Sequence, residues 1–363
     1  MKRFLSLLLV LTMILCCFVA CGTKTEEVAP EVQESKGKIT YICQNLGDLS
    51  FNDNGWAGVN EVKEKYGYDI AVIEAGYDTS KNESILLDTA DGDSNYIITP
   101  SNYGWSDLVF KYAKDYPDKY FIMFDVGVTT EVTDPNVACI SYKQNEGSYL
   151  VGMVAAAMST SGKIGACANR DVPIINDFFT GYIDGATTYN PDIKIALGYN
   201  TVAGDAAKMQ EVASAMTDIG VDVIFNVGGA AGLGIFNSAI AHGTLAIGVD
   251  SDQYLTYSKS ESPELADVII TSMLKNVGDS LVVVFDRIED GTMKWGELTI
   301  LGIQDGGVGI ADNDYYKQMV PEDIRKTVAE YQEKVVKGEI VPKSYFDFAD
   351  DSEFRDLAAS VTP

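Results

Sequence analysis

Short apolar runs rich in β-branched residues alternate with amphipathic stretches along most of this chain. Residues 38–44, 69–74, 96–99, 120–125 and 137–141 read as strands, with helices at 55–66 and 105–116 between them. The rhythm restarts with strands at 163–167, 193–197, 222–226 and 245–249, separated by helices at 173–187, 206–218 and 233–242. Strands alternating with helices predict parallel sheets covered by helices on both faces. Two series of similar length predict an α/β protein of two doubly wound parallel-sheet lobes joined by a hinge. The change-over falls at 145–158, an apolar helical stretch rich in small residues. A strand at 266–271 and a helix at 274–290 follow. The expected lobes are 38–143 plus 272–291 and 144–271 plus 292–342. The acidic tail, 343–363, has no clear period and reads as a terminal strap or a loose end.

The N-terminus breaks this rhythm. Met1-Lys2-Arg3 leads into an apolar run that ends at Ala20, and Cys21-Gly22 follows. Two cations, an apolar segment and small residues before a cleavage point make a secretory signal, residues 1–20. The stretch Phe18-Val19-Ala20-Cys21 resembles a bacterial lipobox, whose cysteine is lipidated on sulfur and becomes the mature N-terminus. Residues 21–37 are then the lipidated cysteine and a polar tether. The body is expected at the outer face of the cytoplasmic membrane, held by acyl chains. An uncleaved transmembrane anchor is the alternative, but the run is about the minimum for spanning. The terminal cysteine among small neighbours favours lipidation.

Charge narrows the partners. The formal charge is -26, and loss of Lys2 and Arg3 with the signal leaves 25 cations against 53 anions. With no basic stretch to neutralise phosphates, nucleic acid is a poor partner. An anionic membrane surface also repels such a body, as suits a soluble domain on a leash. Cys43, Cys139 and Cys167 lie in apolar runs of the mature chain; an odd number excludes a complete disulfide framework. They read as buried small residues. His242 is the one histidine. Ser-His-Asp or Cys-His chemistry would rest on it, near a helix end where a capping role fits better. No metal-ligand cluster appears, and neither metal nor cofactor is expected. Acidic pairs are abundant, so a carboxylate-dependent hydrolase stays open on composition, although no pair stands out.

In doubly wound sheets, ligands lie beyond the carboxyl ends of the strands. The polar residues there are therefore the candidates. Gly47 to Trp56 follows the first strand; Asp48 and Asn52 offer polar groups and Phe51 a flat face. The same residues also suit a helix N-terminus, with Asn52 or Asp53 as cap. Asp125 ends an apolar run and suits either ligand N–H groups or loop amides. Asp171 suits a helix cap with Pro173 in the first turn. Phe178 and Tyr182 share a helix face, usually a core pattern, yet one of Phe178 or Phe179 is free to point into a cleft. The run from Gly228 to Gly234, including Gly229 and Gly232, lets backbone N–H groups approach a ligand oxygen. It fits neither dinucleotide nor Walker spacing. Asp250 follows another strand and suits a vicinal diol, with Lys275 able to donate to the same oxygens; an ordinary Asp–Lys surface pair is the alternative.

Asp48-x-Ser50-Phe51-Asn52 with Trp56, Pro173-x4-Phe178-x2-Gly181, Gly232-Leu233-Gly234, Gly248-Val249-Asp250-Ser251-Asp252-Gln253 and Lys275-Asn276-Val277 occur in one order. Gly306-Gly307-Val308-Gly309 follows less strictly. Over roughly 38–342, the chain resembles the basic membrane protein family of lipoproteins, also called purine nucleoside receptor-like proteins. The resemblance implies a type I periplasmic-binding fold and a monomeric solute-binding subunit of an ABC importer, working with a membrane permease. It also implies a purine held between Phe51 and Phe178, ring contacts from Asn52 and Asp125, and ribose contacts from Asp250 and Lys275. Backbone help would come near Gly229 and Gly232, and Asp48 stands beside the first aromatic. The expected function is capture of a nucleoside without turnover. A sugar receptor, a secreted nucleoside or glycoside hydrolase and a surface adhesin are the alternatives.

Overall fold

The computed structural model describes residues 35–363. The signal 1–20, Cys21 and nearly all of the tether lie outside the described residues. The first series forms β1 (Lys38–Cys43), β2 (Asp69–Glu74), β3 (Tyr96–Pro100), β4 (Tyr120–Phe124) and β5 (Val137–Tyr142). The second forms β6 (Lys163–Ala168), β7 (Lys194–Tyr199), β8 (Val223–Val227), β9 (Leu245–Asp250) and β10 (Ile269–Lys275). Two late strands, β11 (Glu297–Leu301) and β12 (Val308–Ile310), complete the sheets.

One six-stranded sheet has the order β11-β5-β4-β3-β1-β2, with all neighbours parallel. The other has the order β12-β10-β9-β8-β6-β7, parallel except at β12. Inner strands such as β5 and β8 are buried at every position, so they read as continuous apolar runs rather than alternations. In each sheet the order reverses beside the first strand of its series, which opens a crevice at the strands' carboxyl ends.

The lobe boundaries differ from the expected ones. Residues 272–275 belong to β10 in the second sheet, and β11 joins β5 in the first. Between them the helix Val277–Glu289 crosses back and packs on the helix Phe51–Tyr66. A Cβ on Gly58 would lie 2.5 Å from the Gly278 Cα, so these helices meet backbone to backbone. That contact fixes the return of the chain to the first lobe. The expected strand at 266–271 moves on because Pro263–Val268 is a 3₁₀ turn.

The small-residue stretch becomes the helix Gln144–Met158, packed within the second lobe on the helix Pro173–Tyr189. A Cβ on Gly185 would come within 1.8 Å of the Tyr149 carbonyl oxygen, so only glycine permits this approach. The tail is a strap ending in the helix Asp351–Val361, whose Phe354 is fully buried. Cys43, Cys139 and Cys167 are buried and unbridged, and burial pushes each thiol up to about 12. Among the described residues, no helix is long and apolar enough to cross a membrane.

Candidate functional site

The loop after β1 is organised around Asp48. Its carboxylate accepts N–H bonds from the backbones of Ser50 (3.0 Å), Asn52 (2.9 Å) and Asp53 (3.1 Å), and from the Asn52 amide (2.9 Å). These backbone groups belong to the start of the helix Phe51–Tyr66, where no helical partner exists. Asp48 is therefore the cap, a role the sequence had suggested for Asn52 or Asp53. Burial raises its pKa, and the backbone bonds offset this only in part. Asp48 borders the cleft, but its oxygens are committed to the turn. The turn in turn presents Phe51, tilted on Phe124 at 5.2 Å, and Asn52, whose buried Oδ1 has no partner.

Asp125 and Asp250 occupy equivalent places, at the ends of the fourth strands of their series. Both have left-handed backbones, with φ of 62° and 66°. Such conformations cost about 1–3 kcal/mol for residues other than glycine and collect at functional sites. The Ser101 hydroxyl donates to the Asp125 carbonyl and helps to hold it.

Lys275, at the end of β10, joins the lobes. Its Nζ donates to Asp125 Oδ1 at 2.6 Å, and the two residues are 2% and 7% exposed. The ammonium also stands 4.6 Å from the ring centre of Phe178 and 5.5 Å from that of Phe51. A cation at such distances is attracted by the ring faces. Lys275 thus bonds to Asp125, on the far lobe. The partner of Asp250 is the hydroxyl of Ser50, donating to Oδ2 at 2.6 Å. Burial pushes Asp250 up to about 6, against the pull of Lys275 and the Ser50 bond.

Asp48, Phe51, Asn52, Asp125, Phe178, Gly229, Asp250 and Lys275 all line one cavity of about 340 Å³ between the lobes. That is the low end of small-molecule pockets, roughly 300–1,000 Å³. Phe178 faces it, whereas Phe179 packs on Tyr199 at 5.4 Å and Tyr182 on Phe225 at 5.3 Å. Gly232 is not on the cavity wall. It packs on Asn226, whose amide nitrogen would lie 2.3 Å from an added Cβ. Gly229, with φ of 52° and open space where a Cβ would sit, lines the cleft beside Gly228. Asn226 Oδ1 accepts from the Gly228 N–H at 2.8 Å and pins this loop. Asp171 is not a cap: it accepts from the Asn176 amide and pairs with Arg355 of the last helix, both at 2.9 Å.

Some partnerships at the site escaped the sequence. Ser50 belongs to the candidate loop after β1, but its link to Asp250 exists only when the lobes meet. Tyr103, at φ 53°, carries the Arg170 guanidinium 4.0 Å above its ring, across the mouth of the cleft. Arg170 Nε and Asn169 Oδ1 are buried without partners on the same wall. Asn169 and Arg170 do fall in the polar stretch after the strand at 163–167, where candidates are expected, whereas Tyr103 lies just past the stretch at 100–102. Among the described residues, no cluster of His, Cys, Asp or Glu could hold a metal ion.

The family model described as ABC transporter substrate-binding protein PnrA-like matches residues 38–345. The ABC transporter nucleoside-binding protein BmpA of Lactococcus lactis is 27% identical, covering 85% of this chain and 89% of that protein. Basic membrane protein A of Borreliella burgdorferi is 28% identical over 95% of this chain and 96% of its own. A protein of Pyrococcus abyssi named as an uncharacterised lipoprotein is 27% identical over 91% and 84%. The crystal structure of an ABC transporter system solute-binding protein from Aeropyrum pernix K1 matches with a TM-score of 0.73 at 23% identity. It covers 90% of this chain and 99% of that one, and it shows the two-lobed fold.

Proposed function

We propose that this chain, which belongs to the PnrA-like family of ABC transporter substrate-binding proteins, captures a nucleoside, in particular a purine nucleoside, and passes it to a membrane permease. The observation that carries this reading is the placement of Phe51 and Phe178, one from each lobe, on a cavity that also holds the carboxylates of Asp48, Asp125 and Asp250 and the ammonium of Lys275. Aromatic faces suit a base; carboxylates and an ammonium suit its N–H groups and the hydroxyls of a ribose. Asn52 Oδ1, Asn169 Oδ1 and Arg170 Nε leave hydrogen-bonding capacity on the wall that a polar solute satisfies. For a base to enter between the rings, the Lys275 ammonium has to move off them. Asp250 lines the same cavity as Lys275, so both can meet the sugar there. The name of the Lactococcus lactis relative supports the same solute class.

Asp250→Ala is expected to weaken nucleoside binding about ten-fold or more, since a hydrogen bond to a charged group is worth ~1.5–3 kcal/mol. Affinity should also fall as pH drops through the Asp250 value of about 6. The ligand-free fold responds oppositely. Asp250 and Asp177, both pushed up to about 6 by burial, bind protons more tightly folded than unfolded. Their contribution to stability is complete below the unfolded carboxylate range and is lost as pH rises through 6. Titration calorimetry and thermal unfolding at about pH 7.5 and about pH 5 read both trends. Equal affinity at the two pH values, or unaltered binding in folded Asp250→Ala, would contradict this role.

In this reading the protein works as a monomer, lipid-anchored at Cys21 on the outer face of the membrane. Mass spectrometry of the mature wild-type chain should find acyl groups on Cys21, and Cys21→Ala should leave precursor or release an unlipidated protein. A mature chain without lipid at Cys21 would end the anchoring proposal.

A further inference from the structure

We infer that Phe346, on the C-terminal strap, is a ligand-contacting residue of the cleft and forms a wall that belongs to neither lobe. The inference rests on the nucleoside reading above. The strap is fastened to the second lobe at successive residues. The Asn145 amide donates to the Pro342 carbonyl at 3.0 Å, and the Lys343 N–H to Asp184 at 3.1 Å. The Ser344 hydroxyl and the Tyr345 N–H then both donate to Asp177 Oδ1, at 2.6 and 2.8 Å. Asp177 is almost fully buried, and its other oxygen accepts from the Gln144 amide at 2.6 Å. Beyond the cleft, Tyr345 packs edge-on against Phe354 at 5.6 Å, and Arg355 pairs with Asp171.

Phe346 alone turns the other way. Its side chain lines the cavity between the lobes, and its ring carbons lie 3.4 and 3.7 Å from where a Cβ on Gly127 would stand. Gly127 belongs to the loop after β4 in the first lobe, two residues past Asp125. The strap therefore carries an aromatic ring from the second lobe to the Asp125 side of the cavity, within van der Waals reach of the Gly127 backbone. Phe346 also lies one residue past the segment that the family model matches, which ends at 345. The neighbouring Phe348 packs on the core and is not part of the cavity wall.

The test places 4-fluorophenylalanine at position 346 or, separately, at 348 of the full chain and follows each 19F signal during titration. The ligand is the tightest binder among adenosine, guanosine, inosine, cytidine and uridine for the wild type. The signal at 346 should shift on saturation and the signal at 348 should not. Phe346→Ala should weaken that nucleoside about ten-fold, an aromatic contact's worth, while Phe348→Ala leaves affinity unchanged. An unmoved 346 signal with Phe346→Ala affinity within about two-fold of wild type would overturn the inference and leave the nucleoside reading intact. Failure of the wild type to bind any of the five would instead overturn the nucleoside reading, and the inference with it.

Discussion

Lys275→Met should destabilise the ligand-free protein by ~2–3 kcal/mol. Removing one partner of a buried ion pair leaves the other charge uncompensated, which costs about 3–5 kcal/mol where no water can reach it. Asp125 borders a cavity that water enters, so the cost here is smaller. The bond that is lost spans the lobes, and the cation contacts to Phe178 and Phe51 go with it. Urea unfolding should show the change in midpoint. Lys275→Met with Asp125→Asn should recover most of the stability, because no unpaired charge then remains, without recovering nucleoside binding. A single variant within about 0.5 kcal/mol of wild type would mean that solvent already carries the Asp125 charge.

Loss of either aromatic should reduce binding by about 1–3 kcal/mol, or roughly five- to 150-fold, the worth of base stacking on an aromatic ring. The two positions differ in what else they do. Phe178 is 2% exposed and packs 6.4 Å from Phe225, so Phe178→Ala also leaves a cavity in the second lobe. Phe178→Leu keeps most of the volume and isolates the ring's part in binding. Phe51 is half-buried on Phe124, and Phe51→Leu should change stability little while binding falls. Calorimetry on both leucine variants decides the matter. Undiminished nucleoside affinity with lowered melting temperature would mean that both rings serve their own lobes.

The parallel sheets were legible because inner strands buried on both faces must be apolar throughout, and that pattern survives in any one sequence. The edges were not. β11 has half-exposed positions, and β12 is only three residues long, so neither stands out from a loop. The helix Glu322–Val336 buries only Val328 and Val335, too thin a stripe to announce itself. The residues that line the candidate cavity were legible wherever they sit directly after a strand, as with Asp125, Asp250 and the loop at Phe51. Their partnerships were not. The bond from Lys275 to Asp125 joins residues 150 positions apart, and the bond from Ser50 to Asp250 joins residues 200 apart. Such pairs depend on how two lobes meet, which periodicity within either lobe does not encode. Asp48 as a cap could have been anticipated from its spacing to Ser50 and Asn52. Phe346 could not, because its acidic tail carries no apolar period and its place is set by Asp177, far back in the chain.

Calorimetric titration of the full chain with adenosine, guanosine and inosine, beside free ribose and the free bases, tests the central claim most directly. If a base is stacked between two rings while Asp250 and Lys275 hold the sugar, a nucleoside should bind about 100-fold or more tighter than ribose or base alone. The nucleoside should also be recovered unchanged. Equal affinity for ribose and for every nucleoside would contradict the account in favour of a sugar receptor. Release of free base during the titration would contradict it in favour of a hydrolase.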